Sequence, residues 1–298
     1  MESPELRPAR PVPDRRGFTL VELLVALLIS GLLALVIFQL LQGQGRFVAI
    51  QGAREEVQQN ARAVVELVGG ELRGVPGGAG LVQGTEDSLT IRVPRVWGVL
   101  CAVPGGGATT LQVSMPAGGP DLTPTDSTGL AVQIGTGAGA TWTNGVRLTA
   151  VGPKQTSCGP TTLAAGAEAH TLTFSGSLGG TAPDAGAPVY VYDPVTYRTG
   201  TSAGVDGLWI QRRSGGSGSQ PFAGPINEGS TADSKGLRFA YFDETGAMLA
   251  TPLSAADRAK VRRIRLVVRT LSSRGVGDDA AQEQTDSIDI FLRNRVGP

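Results

Sequence analysis

The sequence predicts an α+β chain: one long N-terminal helix packed on an antiparallel β-sheet, with a glycine-rich β/loop body. Three observations carry this. Residues 18–41 form an apolar run with a single charge, Glu22. Residues 46–73 continue with apolar or small side chains in steps of three and four. Beyond about Gly80, short alternating runs lie between glycine- and proline-rich turns. Composition agrees. Glycine accounts for 43 of 298 residues and aromatics for only 5%, which suits short strands and loops better than a helical bundle. Twenty-six basic side chains cancel 26 acidic ones, so nucleic acid held mainly by charge is not expected as a partner. His170 is the single histidine, leaving little material for histidine-rich metal clusters.

The apolar run comes first. As a helix, 24 residues span ~36 Å, enough to cross a ~30 Å hydrocarbon core. Arg7, Arg10, Arg15 and Arg16 precede it. By the positive-inside tendency the N-terminus stays cytoplasmic and the rest is exported in a single pass. No small-residue cleavage site of the secretory kind follows the run. Glu22 is the oddity, because a charge in hydrocarbon costs roughly 2.5–3.5 kcal/mol on insertion scales. No cation stands three or four positions away, and Thr19 and Ala26 look like poor partners. A cut after Gly17 would create a positive amine on Phe18 able to neutralise Glu22.

Arg15-Arg16-Gly17-Phe18-Thr19-Leu20-Val21-Glu22-Leu23, followed by the apolar helix, resembles the type IV pilin family, including the pseudopilins of secretion systems. The resemblance is specific over about residues 15–73 and vaguer beyond. It implies that a prepilin peptidase cuts between Gly17 and Phe18 and N-methylates Phe18. Glu22 would then pair with the amine of a neighbouring subunit during assembly. The implied organisation is a basic leader (1–17), a transmembrane and filament-core helix (18–41), its amphipathic continuation (42–74) and an exported β-rich domain (75–298). The implied partners are prepilin peptidase, other pilins of the filament, an inner-membrane assembly platform, and membrane lipid before assembly. The implied location is the inner membrane, then a pilus or pseudopilus.

The amphipathic stretch places Phe47, Ile50, Ala53, Val57, Ala61, Val64, Val68 and Leu72 on one face. Arg54, Glu55, Gln58, Gln59, Arg62 and Glu66 take the other. Gly43, Gly45 and Gly52 weaken the junction, predicting either a kink or a place where the helix melts during filament packing. Gly74, Pro76, Gly77 and Gly78 stop it.

In the body, Ser88–Val93, Thr110–Met115, Gly145–Val151, Thr171–Phe174 and Val189–Tyr192 read as strands. Registers between about 104 and 187 are poorly specified. Residues 214–219 read as a flexible loop. Near the C-terminus, Leu237, Phe239 and Tyr241 alternate with polar neighbours. A D-x-x-G turn follows at Asp243, then a short helical turn at Ala255–Lys260. Ile264, Leu266, Val268 and Thr270 then face away from Arg263, Arg265 and Arg269. A polar loop at 272–285 leads to Ile288, Ile290 and Leu292. Three such half-buried strands predict an antiparallel sheet with one face open to the helix. This order resembles the larger minor pilins of the PilW type.

Cys101 and Cys158 both fall in the exported part, and an even pair there is expected to be bridged; a two-cysteine metal site is the thinner alternative. The arginine stripe (Arg262, Arg263, Arg265, Arg269, with Arg293 and Arg295) reads as a solvated face paired with Asp286 and Asp289, rather than a phosphate-binding surface. Trp97, Trp142 and Trp209 read as core or loop anchors rather than a glycan platform. Asp121 and Asp126 lack a recognisable calcium ligand series, and Gly135–Ala140 opens no helix of the dinucleotide-binding kind. P-loop, H-E-x-x-H, C-x-x-C and G-x-S-x-G motifs are missing, so no enzyme and no cofactor is expected. The sequence leads to a minor type IV pilin acting in pilus assembly or initiation. A type II secretion pseudopilin, or an adhesive or ligand-binding subunit on a pilin stem, is the alternative.

Overall fold

Helix α1 runs from Leu20 to Gly74 in a computed structural model. It describes residues 17–292 except 78–79, 106, 119–121, 137–139, 144, 177, 179–181, 203, 228, 230–234 and 273–280. Arg7, Arg10, Arg15, Arg16, Asp121, Arg293 and Arg295, singled out above, lie outside the described residues. The chain divides into two units, 1–51 and 52–298.

In the first unit every residue from Gly17 to Val48 is exposed. The helix passes through Gly43, Gly45 and Gly52 without leaving the α conformation. The helical hydrogen-bond ladder is therefore unbroken at these glycines in the single chain. At roughly 1 kcal/mol each relative to alanine, they are outweighed by the long ladder on either side.

In the second unit the stripe is buried at Ala53, Val57, Ala61, Val64, Val68 and Leu72. Phe47, expected on that stripe, is 62% exposed, and Ile50 is half-buried. The sheet covers the stripe only from Ala53 onward.

In chain order the strands begin with β1 (Leu81–Gly84), β2 (Ser88–Leu100), β3 (Thr110–Pro116), β4 (Gly129–Ile134) and β5 (Thr141–Trp142). Next come β6 (Val146–Val151), β7 (Ser157–Cys158), β8 (Thr161–Thr162), β9 (Ala167–Ser175) and β10 (Pro188–Ser202). β11 (Val205–Ser214), β12 (Gln220–Ile226), β13 (Leu237–Phe242) and β14 (Met248–Leu249) follow. Helix α2 (Ala255–Lys260) then precedes β15 (Arg263–Leu271) and β16 (Glu283–Phe291). Every pairing is antiparallel, so short turns can join neighbours.

Two cores result. One lies between α1 and the sheet, where Val64, Val68 and Leu72 meet Leu89, Ile91, Tyr197, Leu266 and Ile290. Thr270, buried on that face, donates its hydroxyl to the Val57 carbonyl at 2.8 Å. Burying several such aliphatic side chains stabilises the packing by about 1.5–3 kcal/mol each. The other core fills a ring of six strands. β2 pairs β3, β3 pairs β9, β9 pairs β6, β6 pairs β4, β4 pairs β10, and β10 returns to β2. Its interior holds Leu111, Val113, Leu130, Leu148, Leu172 and Val191. Closure leaves none of these six strands as a bare edge there.

β2 and β10 belong to both cores, and both are longer than the runs legible in the sequence. A bulge makes this possible. Val191 pairs with Val96 and Tyr192 with Pro94, so Arg95 is skipped. Before it, odd-numbered Leu89 and Ile91 face the helix core; after it, even-numbered Val96 and Leu100 face the ring. The extra residue shifts the alternation of β2 by one, so Leu89, Ile91, Val96 and Leu100 share one face, the face that Val189, Val191, Val195 and Tyr197 take on unbulged β10, and it bends the strand. Gly98 lies where the ring closes: a Cβ there would come within 2.7 Å of the Ser114 carbonyl oxygen and 2.6 Å of Val113, so only glycine fits without displacing backbone.

The 214–219 segment is a loop as expected and turns the chain from β11 into β12, with Ser217 N–H bonded to the Ser214 carbonyl at 3.1 Å. One other expectation changes. The polar loop expected to reach residue 285 ends sooner, because β16 begins at Glu283, opposite Leu271. Thr285 and Gln284 are polar, yet an edge strand accepts polar residues on its solvent side.

Candidate functional site

The N-terminal site is built by the first turn of α1. Thr19 is its cap. The Thr19 carbonyl receives the first helical bond, from Leu23 N–H at 3.2 Å. Glu22 N–H donates to Thr19 Oγ1 at 3.3 Å. In return Thr19 N–H and Oγ1–H donate to Glu22 Oε2 at 2.9 and 3.1 Å. This is a reciprocal capping box, T-x-x-E. Thr19 was expected to be a poor partner for Glu22, and the geometry corrects that. An N-terminal turn offers neutral N–H and O–H donors that a carboxylate accepts as readily as a cation. The signal was present as a threonine three residues before a glutamate.

Phe18 stands just before the cap and is 84% exposed. Gly17 has nothing within 4 Å of where a Cβ would lie. The Gly17–Phe18 bond therefore sits in open chain ahead of the helix, where the backbone is accessible. Glu22, carried on the first turn, faces the same end. A carboxylate has acceptor capacity beyond one oxygen, so Glu22 can hold Thr19 and still receive an amine.

α1 is, among the described residues, the one helix long and apolar enough to cross a membrane. A family model described as the prokaryotic N-terminal methylation motif matches residues 13–38. The chain is type IV pilin-like. The motif implies processing by prepilin peptidase and assembly with other pilins. Together with the apolar helix it makes this pilin-like chain a membrane-anchored prepilin. No curated protein and no solved structure matches it.

The remaining sequence candidates separate in the pilin-like body. Cys101 and Cys158 form a disulfide, with Cα atoms 4.9 Å apart. It ties the chain leaving β2 to β7. The arginine stripe is paired, but not wholly as expected. Arg265 binds Asp289 through Nε at 2.8 Å and Nη2 at 2.9 Å, and Arg263 reaches the same carboxylate at 3.1 Å. Arg269 pairs with Glu283 at 3.7 Å and Arg262 with Glu244 at 3.7 Å. Asp286, expected in this ladder, instead accepts Ser287 N–H at 2.7 Å. The register sets this: Asp289 lies opposite Arg265, while Asp286 lies opposite Val268.

Trp97 and Trp142 pack with Tyr190 on the outside of the ring, each with its ring centre 4.9 Å from the phenol. Trp209 lies over Gly224, so close that a Cβ would meet the indole at 2.9 Å. Asp126 is bonded to Arg147 at 2.7 Å. Among the described residues no group of three or more His, Cys, Asp or Glu could hold a metal ion. Part of Gly135–Ala140, residues 137–139, lies outside the described residues. His170 sits within β9.

Sequence reasoning also missed a half-buried cluster. Glu71 of α1 accepts two bonds from Arg212 of β11, at 3.2 and 2.7 Å. It accepts a third from the Tyr197 hydroxyl of β10. Burial, aided by the neighbouring Glu71 carboxylate, pushes the Tyr197 hydroxyl far above the ordinary phenol range. It therefore stays protonated and donating. No local pattern links residues 71, 197 and 212.

Proposed function

We propose that the chain is a minor type IV pilin that acts in pilus assembly or initiation and is not an enzyme. Prepilin peptidase cuts after Gly17 and N-methylates Phe18. Residues 18–41 hold the protein in the inner membrane, with the N-terminus cytoplasmic and the body exported. The filament then takes the protein up through the same helix. One observation carries the reading: the methylation motif at 13–38 runs directly into a helix whose side chains are exposed all round. So much apolar surface needs cover. Lipid supplies it before assembly, and neighbouring helices supply it afterwards. Glu22 receives the Phe18 amine of an adjacent subunit, so the charge buried in that apolar setting is paired.

The intact mass and N-terminal peptide of the protein from its native membranes test this. A chain beginning at N-methyl-Phe18 is the expected result. An uncut N-terminus in cells with active prepilin peptidase overturns it. The six-strand ring favours a second reading, a ligand-binding subunit on a pilin stem. Deleting an assembly subunit lowers filament number, whereas deleting such a binding subunit leaves filament number intact and lowers attachment. A secretion pseudopilin is distinguished by loss of secretion without loss of surface pili.

A further inference from the structure

The six-strand ring has an open end, and its lining breaks the pattern of its interior. Along β9 the inward positions are Phe174, Leu172, then His170 and Glu168. The register puts His170 opposite Val113 and Glu168 opposite Met115. An imidazole and a carboxylate thus occupy positions that the alternation reserves for apolar residues. They line a cleft of about 610 Å³ together with Val96, Met115, Leu122 and Val151. That volume and that mix of apolar walls with a few convergent polar groups fit a small-ligand site, and barrel mouths are a usual place for one.

The polar groups define what it takes. His170 Nδ1 lies 3.2 Å from the Gly152 carbonyl oxygen. That oxygen only accepts, so in the neutral ring Nδ1 carries the proton and Nε2 presents a lone pair. Nε2 faces Glu168 Oε2 at 3.9 Å. With the ring neutral, two acceptors stand side by side on β9 at the mouth, and a group with several N–H donors satisfies both. The chain itself shows that an ammonium fits: Lys154 Nζ lies 2.7 Å from Glu168 Oε2, on a side chain 61% exposed. The other Glu168 oxygen accepts Gly118 N–H at 2.9 Å, holding the carboxylate in place.

We propose that this mouth binds a primary ammonium carried on an aliphatic stem. The stem lies over Val96, Met115 and Leu122, and the ammonium replaces Lys154 on Glu168 while donating to His170 Nε2. A free alkylamine and the lysine side chain of a partner share this chemistry. The site stands independently of N-terminal processing.

The test uses the full chain in detergent micelles, labelled with carbon-13 at its methionine methyls. Met115 reports on the cleft, and Met248, on β14 and 69% exposed, is the internal control. n-Pentylammonium is expected to shift the Met115 methyl saturably and leave Met248 unmoved, while 1-pentanol and pentanoate leave both unmoved. Nα-acetyl-lysine methylamide separates the sources: the same shift admits a lysine side chain, and its absence restricts the site to free amines. Glu168→Gln should weaken binding by about tenfold or more, the loss of a charge-assisted bond. Lys154→Gln should tighten it about threefold, the release of an exposed competitor. An equal response to pentanol, a response to pentanoate, no Met115 shift with pentylammonium, or unchanged affinity in Glu168→Gln overturns the proposal. The ligand series on the unmodified chain decides it even where a variant fails to fold.

Discussion

Two buried tyrosines show how differently one residue type can act. Tyr197 donates its hydroxyl to Glu71 within the Arg212 cluster. Tyr190 is as deeply buried, yet its hydroxyl has no hydrogen-bond partner among the described residues. The same truncation should therefore have opposite outcomes. Tyr197→Phe removes a bond to a charged acceptor and should cost about 1.5–3 kcal/mol. Tyr190→Phe removes a desolvated orphan and should leave stability unchanged or raise it by up to about 1 kcal/mol. Urea midpoints of the two variants at neutral pH compare them directly. A loss in Tyr190→Phe equal to that in Tyr197→Phe would mean that Tyr190 finds a partner in solution. Neither role is legible in the sequence, where both residues sit on one strand seven positions apart.

At the scale of elements, the edge strand β16 is fastened to β15 by charge as well as by backbone. The hydrogen bond from Arg265 and the charges of Arg265 and Arg263 hold the Asp289 carboxyl below the usual aspartate range. A carboxyl depressed in the folded state contributes stability that is fully present above its unfolded value of about 3.9. That stability is lost as pH falls through the lower folded value. Asp289→Asn should therefore lower the urea midpoint at pH 7 and flatten its fall in acid. Midpoints measured between pH 6 and pH 2 test this, and an unchanged acid limb would remove Asp289 from the account. The sequence exposed the alternation of β15 and β16 clearly, because period-two patterns are local. It did not expose which acid meets which arginine. Alternation puts Asp289 on the polar side and Asp286 in line with Ile288 and Ile290, but only the register shows that Asp289 lies opposite Arg265.

For the molecule as a whole, the β-rich body has two main cores joined by two long strands. The ring segment between β2 and β10 carries the disulfide, and the helix–sheet core carries none among the described residues. In the chain-entropy model, a bridge with a sequence separation of 57 contributes about 4 kcal/mol. Reduction should therefore lower protection of the ring first. Amide exchange is expected to rise in β3, β6 and β9 before it rises in β13 and β15, since local units open at their own free energies. Simultaneous loss in both regions would show that β2 and β10 couple the cores into one cooperative unit.

By itself the sequence determined whatever depends on neighbours along the chain. It determined the basic-glycine-phenylalanine-glutamate motif, the membrane-length apolar run, the amphipathic stripe from Ala53 to Leu72, and the three alternating strands near the C-terminus. Each rests on spacing within a few turns or rungs. Tertiary structure alone decided the closure of the six-strand ring, the bulge at Arg95 that lets two strands serve two cores, and the meeting of Glu71 with Tyr197 and Arg212. It also decided the inward turn of Glu168 and His170. The physical reason is range: in the glycine-rich stretch, strand pairing is settled by contacts between residues tens of positions apart. The bulge then shifts the alternation of β2 by one residue while the same face stays buried, and no local period anticipates that shift.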